Sequence, residues 1–156
     1  MKGKFFLSML VILLGLAVSI PLFAADAIVG TWKMNVEKSK FDPGPAPKSS
    51  TVTYEETANG IKRTGETIEA DGKKTSFTYT AKYDGKDYPV TGSPLFDSIA
   101  VKSVNEHTAE ATLKKAGKVV RHAKREISHD GKTMKIIMTG EDNGKKIHNI
   151  GVYDKQ

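Results

Sequence analysis

The sequence contains no cysteine. Disulfides, thiol catalysis and cysteine-ligated metals are therefore excluded. Small exported proteins often depend on disulfides, so this chain must be held by an ordinary apolar core. Long hydrophobic runs are also scarce. One lies near the start, and beyond residue 26 every apolar stretch is interrupted by Gly, Thr or Lys. No later segment keeps a 3.6-residue apolar repeat, so helices are not expected there. Basic residues form no patch: the lysines interleave with Glu and Asp, unlike the basic stripe of a nucleic-acid binder. His107, His122, His129 and His148 have no metal-ligand spacing. No G-x-S-x-G, phosphate-cradling glycine loop or dinucleotide fingerprint occurs. No metal, cofactor or catalytic constellation is expected.

What is present begins with a basic head, Met1-Lys2-Gly3-Lys4. An apolar run from Phe5 to Ile20 follows, then Pro21 and the small residues Ala24-Ala25. This order defines a secretory signal peptide. The run is slightly short for a membrane span of about 20 residues, which favours cleavage over an uncleaved anchor. The expected division is a signal peptide at 1–24 and a single domain at 25–156, with the cut after Ala24 or Ala25. No cysteine follows, so no lipoprotein anchor forms, and no integral span remains after cleavage. Removing Lys2 and Lys4 lowers the formal charge from +6 to +4, a mildly basic surface suited to solubility. The expected location is the periplasm or the exterior.

The mature region is divided by turn dipeptides: Asn59-Gly60, Asp71-Gly72, Asp84-Gly85, Ala116-Gly117, Asp130-Gly131 and Asn143-Gly144. Asn-Gly and Asp-Gly are strong hairpin signals because tight hairpin turns need positive φ. The intervening runs are rich in Thr, Val, Ile, Tyr and Phe, which suit a pleated surface. Ten strands are predicted, at 28–36, 49–57, 61–69, 73–83, 86–91, 97–104, 107–115, 118–128, 132–140 and 145–154. Pro89 makes the fifth the least secure. The fold class is all-β: an antiparallel up-and-down meander closing into a barrel, since closure removes exposed edges. A two-sheet sandwich is the alternative. The outward positions are polar, so a lipid-spanning barrel is not expected.

Two longer connections are expected. Residues 38–48 hold Pro43, Pro45 and Pro47, which favour an extended polyproline-like crossing. Residues 92–96 link strands five and six. Phe41, Leu95 and Phe96 could cover one mouth or tuck against the core rim.

Side chains alternate faces along a strand. The inward sets are Ile28, Gly30, Trp32, Met34 and Val36; then Val52 and Tyr54; then Phe77, Tyr79, Ala81 and Tyr83; then Met134, Ile136 and Met138. On strand eight Val119, Arg121, Ala123, Arg125 and Ile127 share a face that its apolar members mark as inward, unless a bulge swaps the faces and turns both arginines to solvent. Inward arginines are costly unless they meet an anion or a wet cavity. The Asn59-Gly60 turn places Glu56 across from Arg63, so that carboxylate is already engaged. Barrel width grows with strand number, so ten strands should leave a cavity.

Gly30-Thr31-Trp32-Lys33, Arg125-Glu126-Ile127 with Asp130-Gly131-Lys132, and Val152-Tyr153-Asp154-Lys155 stand in order along the chain. Together they resemble the calycins, the lipocalins and intracellular fatty-acid-binding proteins, here in an exported bacterial form. The resemblance implies a ligand-binding barrel, with Arg125 and Tyr153 on positions that hold a fatty acid's carboxylate. Gly151 stands where the family has a second arginine. The family's helical cap is replaced by the proline-rich crossing.

The expected function is an exported, soluble barrel that binds a small apolar or amphipathic molecule and is not an enzyme. Its ligand-binding residues are Trp32, Tyr54, Phe77, Tyr79, Arg121, Arg125, Met138 and Tyr153. The alternative is a filled β domain acting as an envelope interaction module without a small ligand. A small enzyme using the cavity, with Arg125 as its electrostatic group, is the third reading. The sequence names no protein partner.

Overall fold

A computed structural model of the chain describes residues 27–142 and 144–156. The signal-peptide segment at 1–24 and Asn143 of the last predicted turn lie outside them. The strands are β1 (Gly30–Met34), β2 (Ser49–Thr57), β3 (Gly60–Ile68), β4 (Lys74–Ala81), β5 (Asp84–Thr91), β6 (Ser98–Asn105), β7 (Thr108–Lys115), β8 (Lys118–Ile127), β9 (Thr133–Asp142) and β10 (Lys145–Lys155). Each pairs antiparallel with its sequence neighbour, and β1 also pairs with β10. The meander therefore closes into a ten-strand barrel, not a sandwich. Among the described residues there is no helix long and apolar enough to cross a membrane.

Turn chemistry sets the register. Ala116 and Gly117 both take positive φ, 48° and 77°, as a two-residue hairpin turn matched to strand twist requires. Between β2 and β3 the register pairs Thr57 with Gly60, so Ala58-Asn59 makes the turn. Glu56 then faces Ile61, and Arg63 faces Tyr54. The expected Glu56–Arg63 pairing does not form, because the shifted turn puts Arg63 on the inward face. Gly60 has φ +121°, and a Cβ there would lie 2.4 Å from the carbonyl oxygen of Ala81. Gly60→Ala is expected to lower stability by about 1–3 kcal/mol, measured by denaturant unfolding.

Strand eight carries a second register effect. Leu113 pairs with Arg121 while Lys114 pairs with Val119, so one extra residue is accommodated at Val120. This bulge swaps the faces locally. Val119 is 51% exposed, against the expectation that it points inward, and Val120 packs against the core instead. Arg121, Ala123, Arg125 and Ile127 keep the predicted face, opposite Leu113, Ala111 and Ala109 on β7 and Met134 on β9.

The β4–β5 ladder is the shortest, with only Thr78–Thr91 and Tyr79–Val90 in register. Where these strands diverge, Lys82 and Tyr83 form the turn, displacing the predicted Asp84-Gly85 turn into the start of β5. Tyr83 has φ 55°, a left-handed conformation that costs a non-glycine residue about 1–2 kcal/mol.

The interior divides into two apolar clusters. The first contains Trp32, Val52, Tyr54, Met134 and Tyr153. Trp32 is fully buried, and its indole N–H donates to the Ile28 carbonyl at 2.8 Å, so its one polar atom is satisfied. The second contains Tyr79, Phe96, Ile99, Val101 and Leu113. The β1–β2 crossing has no helical cap. It turns at Asp42-Pro43 instead of running extended throughout as expected. It is tied to β10 by a Lys40–Ile150 bridge. Phe96 is buried edge-on to Phe77 at 5.0 Å, and Phe41 packs on the first cluster. Leu95 is 45% exposed. The end of the barrel that carries the crossing and Phe96 is thus occupied by the chain's own side chains.

Candidate functional site

Two cavities meet inside the barrel. An inner one of about 70 Å³ is bounded by Tyr54, Arg63, Phe77, Tyr79, Arg125 and Met138, with Glu110 and small and branched apolar residues completing it. An outer one of about 510 Å³ opens among the β2–β3, β4–β5 and β6–β7 turns, where Ile61, Ala81, Lys82, Tyr83 and Glu106 line it. Arg125 borders both. Ten strands could enclose more than the inner volume, but Arg63, Phe77 and Phe96 turn inward and take much of the space.

Arg125 is placed by the alternation of β8, opposite Ala109 on β7 and Ile136 on β9. Ala109 leaves room for the guanidinium. Its Nη1 donates to the Tyr83 hydroxyl at 2.7 Å. Its centre lies 5.1 Å from the Tyr83 ring and 5.5 Å from the Tyr54 ring, within cation–π range. Nε is buried without a hydrogen-bond partner. Burial opposes the charged form. The phenols of Tyr83 and Tyr54, with the Tyr83 hydrogen bond, outweigh it and raise the guanidinium above its ordinary value. Arg125 therefore stays cationic.

Arg63 is the residue that the sequence reading missed as an inward cation. It is 9% exposed, flanked by Tyr54 on β2 and Tyr79 on β4. Its guanidinium stacks 4.0 Å from the centre of the Phe77 ring. A Cβ on Gly65 would fall 2.6 Å from its Nη1, so that glycine clears the space the side chain fills. Nη1 is buried without a partner. Among the described residues no carboxylate lies within ion-pair distance of Arg63 or Arg125. The available signal was the Ile61-Arg63-Gly65 alternation, whose apolar first member marks the face.

Of the other expected site residues, Tyr54, Phe77, Tyr79 and Met138 line the inner cavity. Trp32 and Tyr153 belong to the first core cluster. Tyr153 is buried in that cluster, and the hydroxyl that accepts from Arg125 is that of Tyr83, not that of Tyr153. Arg121 lies nearer the other end of the barrel, where Nη2 is 3.9 Å from Asp142 and Nη1 3.7 Å from the Met138 sulfur. It already has its anion.

Burial raises the phenol of Tyr79 well above its ordinary value of 10.0, and it raises Tyr153 in the same direction. The fold favours the neutral phenols. Their contribution to stability is complete below about pH 10, the unfolded value, and is lost as pH rises through the folded values. Stability should therefore decline above pH 10. Absorbance at 295 nm should show these two tyrosines ionising together with unfolding.

No protein-family model matches the chain, and no curated protein matches it. Among solved structures, a zebrafish ileal bile acid-binding protein complexed with cholic acid aligns with 83% of this chain and 99% of its own. The identity is 12% and the TM-score 0.52. The siderocalin Ex-FABP aligns with 83% of this chain and 74% of its own, also at 12% identity. Its TM-score of 0.35 carries no argument. At such identity the likeness is one of fold: the chain shares the closed antiparallel barrel of the bile acid-binding protein.

Proposed function

We propose that this calycin-fold barrel is an exported carrier of a small amphipathic anion. The ligand's head meets Arg125 and Tyr83, and its apolar part lies along Ile61 and Ala81 in the open mouth. The observation that carries this reading is the buried Arg125, whose hydrogen bond goes to a phenol and whose Nε has no partner. A buried cation without a counter-ion is costly unless an anion completes it. The mouth volume of about 510 Å³ falls in the range of small-molecule sites, roughly 300–1,000 Å³. Tyr83, held in a left-handed conformation beside Arg125, fits strain localised at a binding position. The inner cavity has no inward carboxylate or histidine among the described residues: Glu110 borders it from an exposed, outward position on β7. The titratable acid and base nearest the ligand, Glu106 and Lys82, line the outer mouth rather than the inner cavity. The leader pattern of residues 1–24 supports export to the periplasm or beyond. The zebrafish protein was crystallised with cholic acid, itself an amphipathic anion, which accords with this reading without carrying it.

A second reading is favoured by one specific observation. The inner cavity of about 70 Å³ has room for a few waters and not for a chain. On that reading the barrel is filled and works through its outer face. Native mass spectrometry of the mature protein from an exporting host separates the two. A small molecule lost on denaturation, or uptake of the anionic probe anilinonaphthalene sulfonate at the mouth, supports the carrier. A clean apo mass with no probe uptake supports the filled module.

A further inference from the structure

Arg63 and Arg125 stand on opposite walls of one cavity, each with a buried N–H that has no acceptor. Arg63 is held firmly. Tyr54 and Tyr79 flank it across both neighbouring ladders, Phe77 supports its face, and Gly65 leaves the clearance it occupies. A site that needed only one cation for a carboxylate would leave the second guanidinium buried and uncompensated. Water in a cavity this small can hydrogen-bond the free N–H groups but cannot neutralise the charge. Guanidinium forks match phosphate oxygens in geometry and number.

We propose that Arg63 is a second anion-binding residue acting jointly with Arg125, and that the ligand's head is a dianion of the phosphate-monoester type. This rests on the reading of the barrel as an anion carrier and narrows it. The head lies between the two guanidinium groups, past the Arg125–Tyr83 contact. The rest of the ligand points out through the turns at β2–β3, β4–β5 and β6–β7. A phosphate monoester loses its second proton near about pH 6, so its charge matches both arginines only above that value.

Dodecyl phosphate and dodecanoate, each below its micelle concentration, test this by calorimetric titration of the full mature protein. At pH 7.5 dodecyl phosphate should bind at least about tenfold more tightly than dodecanoate. Arg63→Gln should reduce dodecyl phosphate affinity by at least about tenfold and dodecanoate affinity by about threefold, cutting the preference from about tenfold to about threefold. Lys118→Gln, exposed at the start of β8 at the far end, should leave the preference intact. Thermal unfolding checks that Arg63→Gln is folded. A wild-type measurement stands apart from any variant: the preference for dodecyl phosphate should grow about tenfold between pH 5 and 7.5. That titration belongs to the probe. The groups around the inner cavity are the two guanidinium groups, the phenols of Tyr54 and Tyr79 and, from its exposed position on β7, Glu110, with Tyr83 at Arg125 and with Lys82 and Glu106 outside at the mouth. Binding of dodecanoate with no phosphate preference, or a preference flat with pH, overturns the dianion and leaves the carrier reading standing. No binding of either amphiphile overturns both.

Discussion

Arg125→Met is expected to abolish binding of anionic amphiphiles, by about 100-fold or more, while making the ligand-free barrel more stable. The two effects have one cause. The guanidinium lies inside the barrel without a carboxylate within ion-pair distance among the described residues, so the empty protein bears its desolvation. Replacing buried ionic groups by apolar side chains of similar volume is often stabilising by about 1–4 kcal/mol. Loss of the Tyr83 hydrogen bond offsets about 1 kcal/mol of that gain. A net rise of about 1–2 kcal/mol in urea unfolding, together with lost probe uptake, is the expected pair of results. A large destabilisation would mean that Arg125 is structural, held by its two tyrosines, and would remove the main support for a carrier. The variant also separates this residue from Arg121, whose pairing with Asp142 makes Arg121→Met neutral for binding.

The largest effect on stability is expected at Trp32. Trp32→Ala should cost about 3–5 kcal/mol, the range for removing a large buried aromatic, and lower the melting temperature by about 10–20 °C. The residue sits at the seam that closes the barrel, pairing with Val52 on β2 and Lys155 on β10. Its ring supports the ammonium of Lys155 at 5.1 Å, which in turn donates to the Ala27 carbonyl. Truncation therefore loosens the closure as well as leaving a void. Differential scanning calorimetry checks it, and a drop of under 1 kcal/mol would mean that the first cluster refills the space. Because Trp32 does not line either cavity, Trp32→Phe should keep probe binding, in contrast to Arg125→Met.

Much of the architecture was legible along the chain because its signals are local. Turn dipeptides at regular intervals, β-branched runs and period-two alternation gave ten strands, and all ten form, even β5 with Pro89 paired opposite Ser98. Arg125 was readable for the same reason: its neighbours Ala123 and Ile127 mark the inner face. What escaped were the places where one residue changes parity. Moving the β2–β3 turn by one position turns Arg63 inward and sends Glu56 to face Ile61. The extra residue at Val120 sends Val119 outward. Such shifts flip a side chain across the sheet at little local cost, so composition does not record them.

The sequence by itself determined an all-β meander without disulfides, the order of its strands and an inward arginine on the eighth. Each of these follows from chemistry within a few residues of itself. Only the tertiary structure decided closure through β1 and β10, the filling of the inner cavity, and the meeting of Arg63 from β3 with Arg125 from β8 around Tyr54, Tyr79 and Tyr83. Those depend on register and shear summed around the whole barrel, which no single segment encodes.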